Sequence, residues 1–85
     1  MDDRMEVEVR LFAQVREIVG GDRVRLEVGA TACIGTLREE MIRKIPVLAA
    51  WKHLLLFAVN EEYADDSTPI EPGAAIACFP PVGGG

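Results

Sequence analysis

The sequence predicts an α+β fold, a mixed sheet of four to five strands packed on one main helix. Three observations predict it. Two stretches near the N-terminus alternate apolar and polar residues with a period of two; an internal stretch repeats apolar residues every three or four; and two later apolar stretches are bounded by turn residues. The chain has 85 residues. That is below the usual domain size of about 100–150, so all these elements must share one modest core.

In the first stretch Met5, Val7, Val9 and Leu11 alternate with Glu6, Glu8 and Arg10, the period of a half-buried strand with one wet face. Phe12 falls on the polar phase, either as a strand end curling inward or as an exposed contact residue. Val15, Ile18 and Val19 then stand at helical spacing and Gly20-Gly21 follows, which reads as a short helical turn with a glycine stop. Val24, Leu26 and Val28 alternate with Arg23, Arg25 and Glu27, a second strand that can pair with the first. From Thr31 the period changes. Ile34, Leu37, Met41 and Ile45 line one face of the main helix, with Thr31 as the expected N-cap and Arg43-Lys44 in the last turn, where cations favour the negative end of the helix dipole. Pro46 disfavours helical geometry at Ile45 and ends it.

Val47 to His53 can hold one more helical turn, with Leu48 and Trp51 packing down on the core or its rim. Leu54 to Val59 is apolar on both phases, as expected of a strand near the sheet centre, and Asn60 breaks it. The polar segment 61–67 has room for one short strand. Its pair Asp65-Asp66 reads as a solvated loop rather than a metal site, because no further oxygen ligands stand at a coordinating interval. After the Pro72-Gly73 turn, Ala74 to Phe79 forms the last strand, with Ile76 and Cys78 on one face and Ala75, Ala77 and Phe79 on the other. This order fits the β-grasp arrangement, in which first and last strands are parallel neighbours. Residues 1–79 are the expected domain and 80–85 an extended tail.

Nine Lys and Arg against fourteen Asp and Glu give a net charge of −5, and no cationic run exceeds Arg43-Lys44. Nucleic acid is a poor partner for such a chain, since phosphate affinity is built from clustered cations. A basic protein partner suits it better. No basic, apolar export signal opens the sequence and the longest apolar run, Leu54 to Val59, is too short to span a membrane, so the expected location is the cytoplasm, away from membranes. Cys33, Cys78 and the single histidine, His53, cannot make a zinc site. Both cysteines are expected as buried, reduced thiols without a chemical role.

Three of the eight glycines are the last three residues. Pro80, Pro81, Val82, Gly83, Gly84 and Gly85 follow the last core anchor, Phe79, and can project roughly 20 Å at about 3.3–3.6 Å per residue. Glycine keeps such a segment slender enough to thread a narrow channel. The diproline stiffens its base and lowers the entropy cost of presenting it. The α-carboxylate of Gly85 is then an unhindered reacting group, inert until an ATP-dependent enzyme activates it. Glycine-rich ends are also found as frayed termini or expression tags. Here they follow a core strand and a stiff diproline, with neither a Ser-rich linker nor a histidine run.

The segment from Leu11 to Gly20, the stretch from Phe57 to Tyr63, and the ending from Pro72-Gly73 through Phe79-Pro80-Pro81-Val82-Gly83-Gly84-Gly85 resemble the small, sulfur-carrier subunit of molybdopterin synthase, a family of ubiquitin-like β-grasp proteins. The resemblance runs in register from the first strand to the C-terminus. It implies that a ubiquitin-activating-type adenylyltransferase adenylates Gly85 at the expense of ATP. A sulfur donor then converts it to a thiocarboxylate, and the tail enters the large synthase subunit to give its sulfur to cyclic pyranopterin monophosphate during molybdenum cofactor biosynthesis. It implies no bound cofactor or metal, no catalysis by the small subunit alone, and a heterotetramer with the large subunit. It further implies docking through an apolar surface to which Phe12, Tyr63 and Phe79 correspond. Two readings from other classes stand beside it. A ubiquitin-like modifier or a thiamine-type carrier would activate the same terminus, and a plain β-grasp interaction module would not use it.

Overall fold

The computed structural model describes residues 3–81. Its elements are β1 (Arg4–Leu11), α1 (Ala13–Val19), β2 (Arg23–Gly29), α2 (Ile34–Lys44), a 3-10 helix (Pro46–Trp51), β3 (Leu56–Val59), β4 (Glu62–Ala64) and β5 (Ile76–Phe79). The five strands form one mixed sheet in the order β2-β1-β5-β3-β4. β1 pairs antiparallel with β2 and parallel with β5, so the first and last strands are neighbours at the centre, as the β-grasp arrangement requires.

The alternation in β1 and β2 decides which face is covered. Val7, Val9, Leu11, Leu26 and Val28 are buried with Ile76, Cys78 and Phe57 beneath α2, whose Ile34, Leu37 and Met41 are fully buried. Each such aliphatic side chain contributes about 1.5–3 kcal/mol by leaving water. Gly20 closes α1 in the left-handed conformation at φ 86°, which suits a residue without Cβ.

The N-cap of α2 is Cys33 rather than Thr31, and no side chain caps it. Backbone carbonyls from a distant loop do so instead: Ile34 N donates to Thr68 O at 2.9 Å and Gly35 N to Asp66 O at 2.9 Å. Gly35 makes the close approach possible, since a Cβ there would stand 3.3 Å from both Asp66 Cβ and Asp66 O. Within that loop Asp65 Oδ1 accepts from Ser67 N, Ser67 Oγ and Thr68 Oγ1, an Asx turn whose hydrogen bonds hold the Asp65 carboxyl below its ordinary value. Asp66 is engaged by Arg38.

Arg38 fastens the helix to its surroundings. Its Nη1 donates to the carbonyls of Lys52 at 2.6 Å and Leu55 at 2.8 Å, its Nη2 meets Asp66 Oδ1 at 2.9 Å, and its guanidinium lies 5.0 Å from the centre of the Phe57 ring. The chain between the 3-10 helix and β3 continues to turn, with Leu54 N and Leu55 N both donating to Trp51 O. The strand expected from Leu54 therefore starts at Leu56, and Leu54 is exposed. β5 likewise begins at Ile76 rather than Ala74, because Ala75 N and O are taken by Asn60 Oδ1 and Asn60 N from the β3–β4 turn. That turn holds Asn60 and Glu61 at φ 51° and 71°, the left-handed pair of a two-residue hairpin.

β2 is an edge strand, yet two of its outward carbonyls are occupied: Lys44 Nζ donates to Arg25 O and Arg4 Nη2 to Glu27 O. Cationic side chains on an edge discourage strand addition by another chain.

Candidate functional site

Parallel pairing of β1 and β5 brings their C-terminal ends to the same end of the sheet. The register Arg10↔Ala77 and Leu11↔Cys78 is extended by a hydrogen bond from Phe12 N to Cys78 O at 3.2 Å. Leu11 and Cys78 point into the core; Phe12 and Phe79 point out on the other face. The two rings stack, with centroids 5.0 Å apart and planes 16° from parallel. Tyr63, from β4, meets Phe79 edge-on at 6.1 Å. Both arrangements are favoured by the aromatic quadrupole. Phe12 is 37% exposed and Tyr63 70%, so the three side chains expected at a docking surface stand together and accessible on the outer face of the sheet.

Their floor is set by one rung that crosses all five strands, Arg23–Arg10–Ala77–Ala58–Tyr63. The two alanines at its centre leave a shallow groove of about 440 Å³, walled by Phe12, Phe79 and Tyr63, with Arg10 and Glu61 on its margins. Ala58 is buried but lies outside the main core cluster, as expected of a residue roofed by outer-face side chains. Arg10, Glu61, Ala58 and Ala77 did not stand out in the sequence. Arg10 and Ala77 share the strand phase of Phe12 and Phe79, and that shared phase was the available signal.

Pro80 and Pro81 continue from Phe79 with no regular structure, Pro80 half-buried and Pro81 exposed. The tail thus starts beside the aromatic cluster, at the end of the central strand. Val82, Gly83, Gly84 and Gly85, which carry the expected chemistry, lie outside the described residues.

The cysteines are free and differ from each other. Cys78 is fully buried, and burial pushes its thiol up to about 12, with nearby Arg38 opposing the shift. Cys33 is only half-buried, against expectation, because it sits at the mouth of α2; its Sγ is 3.5 Å from Thr36 Oγ1, and that hydrogen bond lowers its pKa. Among the described residues no helix is long and apolar enough to cross a membrane.

The sequence matches the ThiS family over residues 9–85. It is 39% identical over 82 residues to the molybdopterin synthase sulfur carrier subunit of Escherichia coli, covering 93% of this chain and 99% of that protein. Among solved structures it is similar to SAMP1 from Haloferax volcanii, with a TM-score of 0.80 and 27% identity over 94% of this chain and 99% of the other. It is also similar to a chain in the complex of subunits 1 and 2 of molybdopterin-converting factor from Helicobacter pylori, with a TM-score of 0.66 and 27% identity over 95% and 100% of the two chains.

Proposed function

The chain belongs to the ThiS family and, within it, to the molybdopterin synthase sulfur carrier subunits, and from that premise we propose that it carries sulfur on the C-terminal carboxylate of Gly85 to the large subunit of molybdopterin synthase. Two supports are independent of each other. The family relationship covers the tail, and the strand that leads into the tail is the central one, bordered by an exposed aromatic cluster. The second carries the reading, because an apolar patch around the start of the tail lets docking and delivery occur together.

The chemistry follows from the inertness of a carboxylate. A carboxylate oxygen of Gly85 attacks the α-phosphorus of ATP on a ubiquitin-activating-type adenylyltransferase; pyrophosphate leaves and an acyl-adenylate forms. A sulfur nucleophile at the oxidation level of sulfide adds to the acyl carbon and expels AMP, giving the thiocarboxylate. In the large subunit the thiocarboxylate sulfur displaces an oxygen substituent of cyclic pyranopterin monophosphate, which leaves as water. A second water hydrolyses the resulting thioester, leaving the sulfur on the pyranopterin and Gly85 as its carboxylate, and a second round supplies the second sulfur of the dithiolene. The small subunit contributes reach and a slender backbone, while the acid-base groups belong to its partners. Two copies of each subunit form the working heterotetramer.

The match to SAMP1 and to the small archaeal modifier protein 1 of the same organism favours one second reading: the same activated Gly85 acylates lysines. A chain lacking Gly85, or carrying one residue after it, should support no molybdopterin formation while keeping the circular dichroism and melting temperature of the parent. Normal activity in either variant would overturn the carrier reading and leave an interaction module.

A further inference from the structure

Arg10 occupies an unusual position for a cation in this chain. It stands in the rung that floors the groove, beside Ala77 and directly opposite Arg23. Like charges directly opposite on an antiparallel pair are destabilising. The acid two residues away on the same face, Glu8, is engaged by Arg25 at 3.4 Å and by Arg23 at 3.7 Å, and Arg23 also meets Asp22. Among the described residues Arg10 has no ion pair. A chain with five more acids than bases thus keeps an uncompensated guanidinium against another arginine, at the margin of the aromatic groove. On the other side of the groove, across β5, the margin is Glu61.

We infer that Arg10 is a specificity-determining contact, and that the partner surface seated on this groove brings a carboxylate to Arg10 next to an apolar side chain placed over Ala58 and Ala77. The inference rests on the docking reading above and names the chemistry of the docked surface, which is acidic at this point even though the overall charge of the chain suits a basic partner. A guanidinium offers a fork of donors matched to a carboxylate, and the aromatic walls of Phe12 and Phe79 exclude water from one side of that pair. With a cation on one margin and Glu61 on the other, the groove also has a polarity: a partner with the reverse order of charges is attracted in one orientation and repelled in the other.

The test measures association of the cognate large subunit with the full-length chain and with Arg10→Glu, Arg10→Ala, Arg10→Lys and Phe79→Ala, at low and high salt. The expected result is that Arg10→Glu slows association about tenfold at low salt, that high salt narrows this difference, and that Arg10→Lys, which keeps the charge without the fork, associates at close to the parent rate but dissociates faster. The isolated Arg10→Glu chain should at the same time melt about 1–5 °C higher, because the new carboxylate faces Arg23 in place of a like charge. A merely structural role for Arg10 would not couple a gain in stability to a loss of binding. If Phe79→Ala weakens binding while Arg10→Ala and Arg10→Glu leave it unchanged, the inference about Arg10 is overturned and the docking face stands. If none of the four substitutions changes binding, the docking reading itself is overturned.

Discussion

Phe12 lies against Phe79 with ring centroids 5.0 Å apart and planes 16° from parallel, joining the end of the first strand to the end of the last. The contact exists because the two strands are parallel neighbours, so residues 67 positions apart in sequence finish side by side at one end of the sheet. Replacing Phe79 by Ala removes the ring shared by Phe12 and Tyr63 without opening the main core, to which it does not belong. Association of Phe79→Ala with the large subunit should weaken by about 1–3 kcal/mol, the usual loss on truncating an aromatic anchor. Calorimetric titration measures it, and an unchanged affinity would reduce the ring to a packing role.

Arg38 should matter to stability more than its place on a charged helix suggests. Its side chain is 13% exposed, and it satisfies two backbone carbonyls where the chain passes from the 3-10 helix to β3. Arg38→Ala should lower the free energy of unfolding by about 2–4 kcal/mol in urea titrations, since charge-assisted bonds are lost and part-buried acceptors are left without a donor. Arg38→Lys should restore only part of this, as one ammonium cannot hold two carbonyls and a carboxylate in the geometry of a guanidinium fork. A change below about 0.5 kcal/mol, the size of an ordinary surface effect, would contradict the role assigned to Arg38.

The two thiols should react in sequence. In the native protein a disulfide reagent should modify Cys33 and spare Cys78 until denaturant is added. The second thiol also bears on the pH dependence of folding. Its folded pKa is raised from 9.0 to about 12, so below pH 9 the thiol is protonated in both states and costs nothing. As pH rises from about 9 towards 12 the unfolded chain releases a proton that the folded one retains, and stability falls. Urea midpoints of the parent should decline across this window more steeply than those of Cys78→Ala, and parallel curves would contradict the assignment.

Much of this architecture was legible in the chain. The period-two phase in β1 and β2 assigned their buried faces residue by residue, and the spacing of Ile34, Leu37 and Met41 located α2 and its packed side. The same phase set Phe12 and Phe79 apart from the core before any neighbour was known. What escaped depended on partners distant in sequence. Thr31 has the chemistry of a cap, but carbonyls of Asp66 and Thr68 reach the helix first. Arg38 carries nothing in its local context that separates it from Arg43, which is exposed and paired with Glu40 three residues away. The isolation of Arg10 emerges only from the register that puts Arg23 opposite it and assigns Glu8 elsewhere. Periodicity reports which face a residue occupies; it does not report who stands across the strand.

The most direct test of sulfur carriage is the mass of the intact chain after incubation with the activating enzyme, ATP and a sulfide source. Sulfur carriage on Gly85 requires a mass increase equal to exchange of one oxygen for one sulfur, located at Gly85 and absent when ATP is withheld. A chain that keeps its original mass under these conditions, or that is recovered instead as covalent conjugates with other proteins, would contradict it.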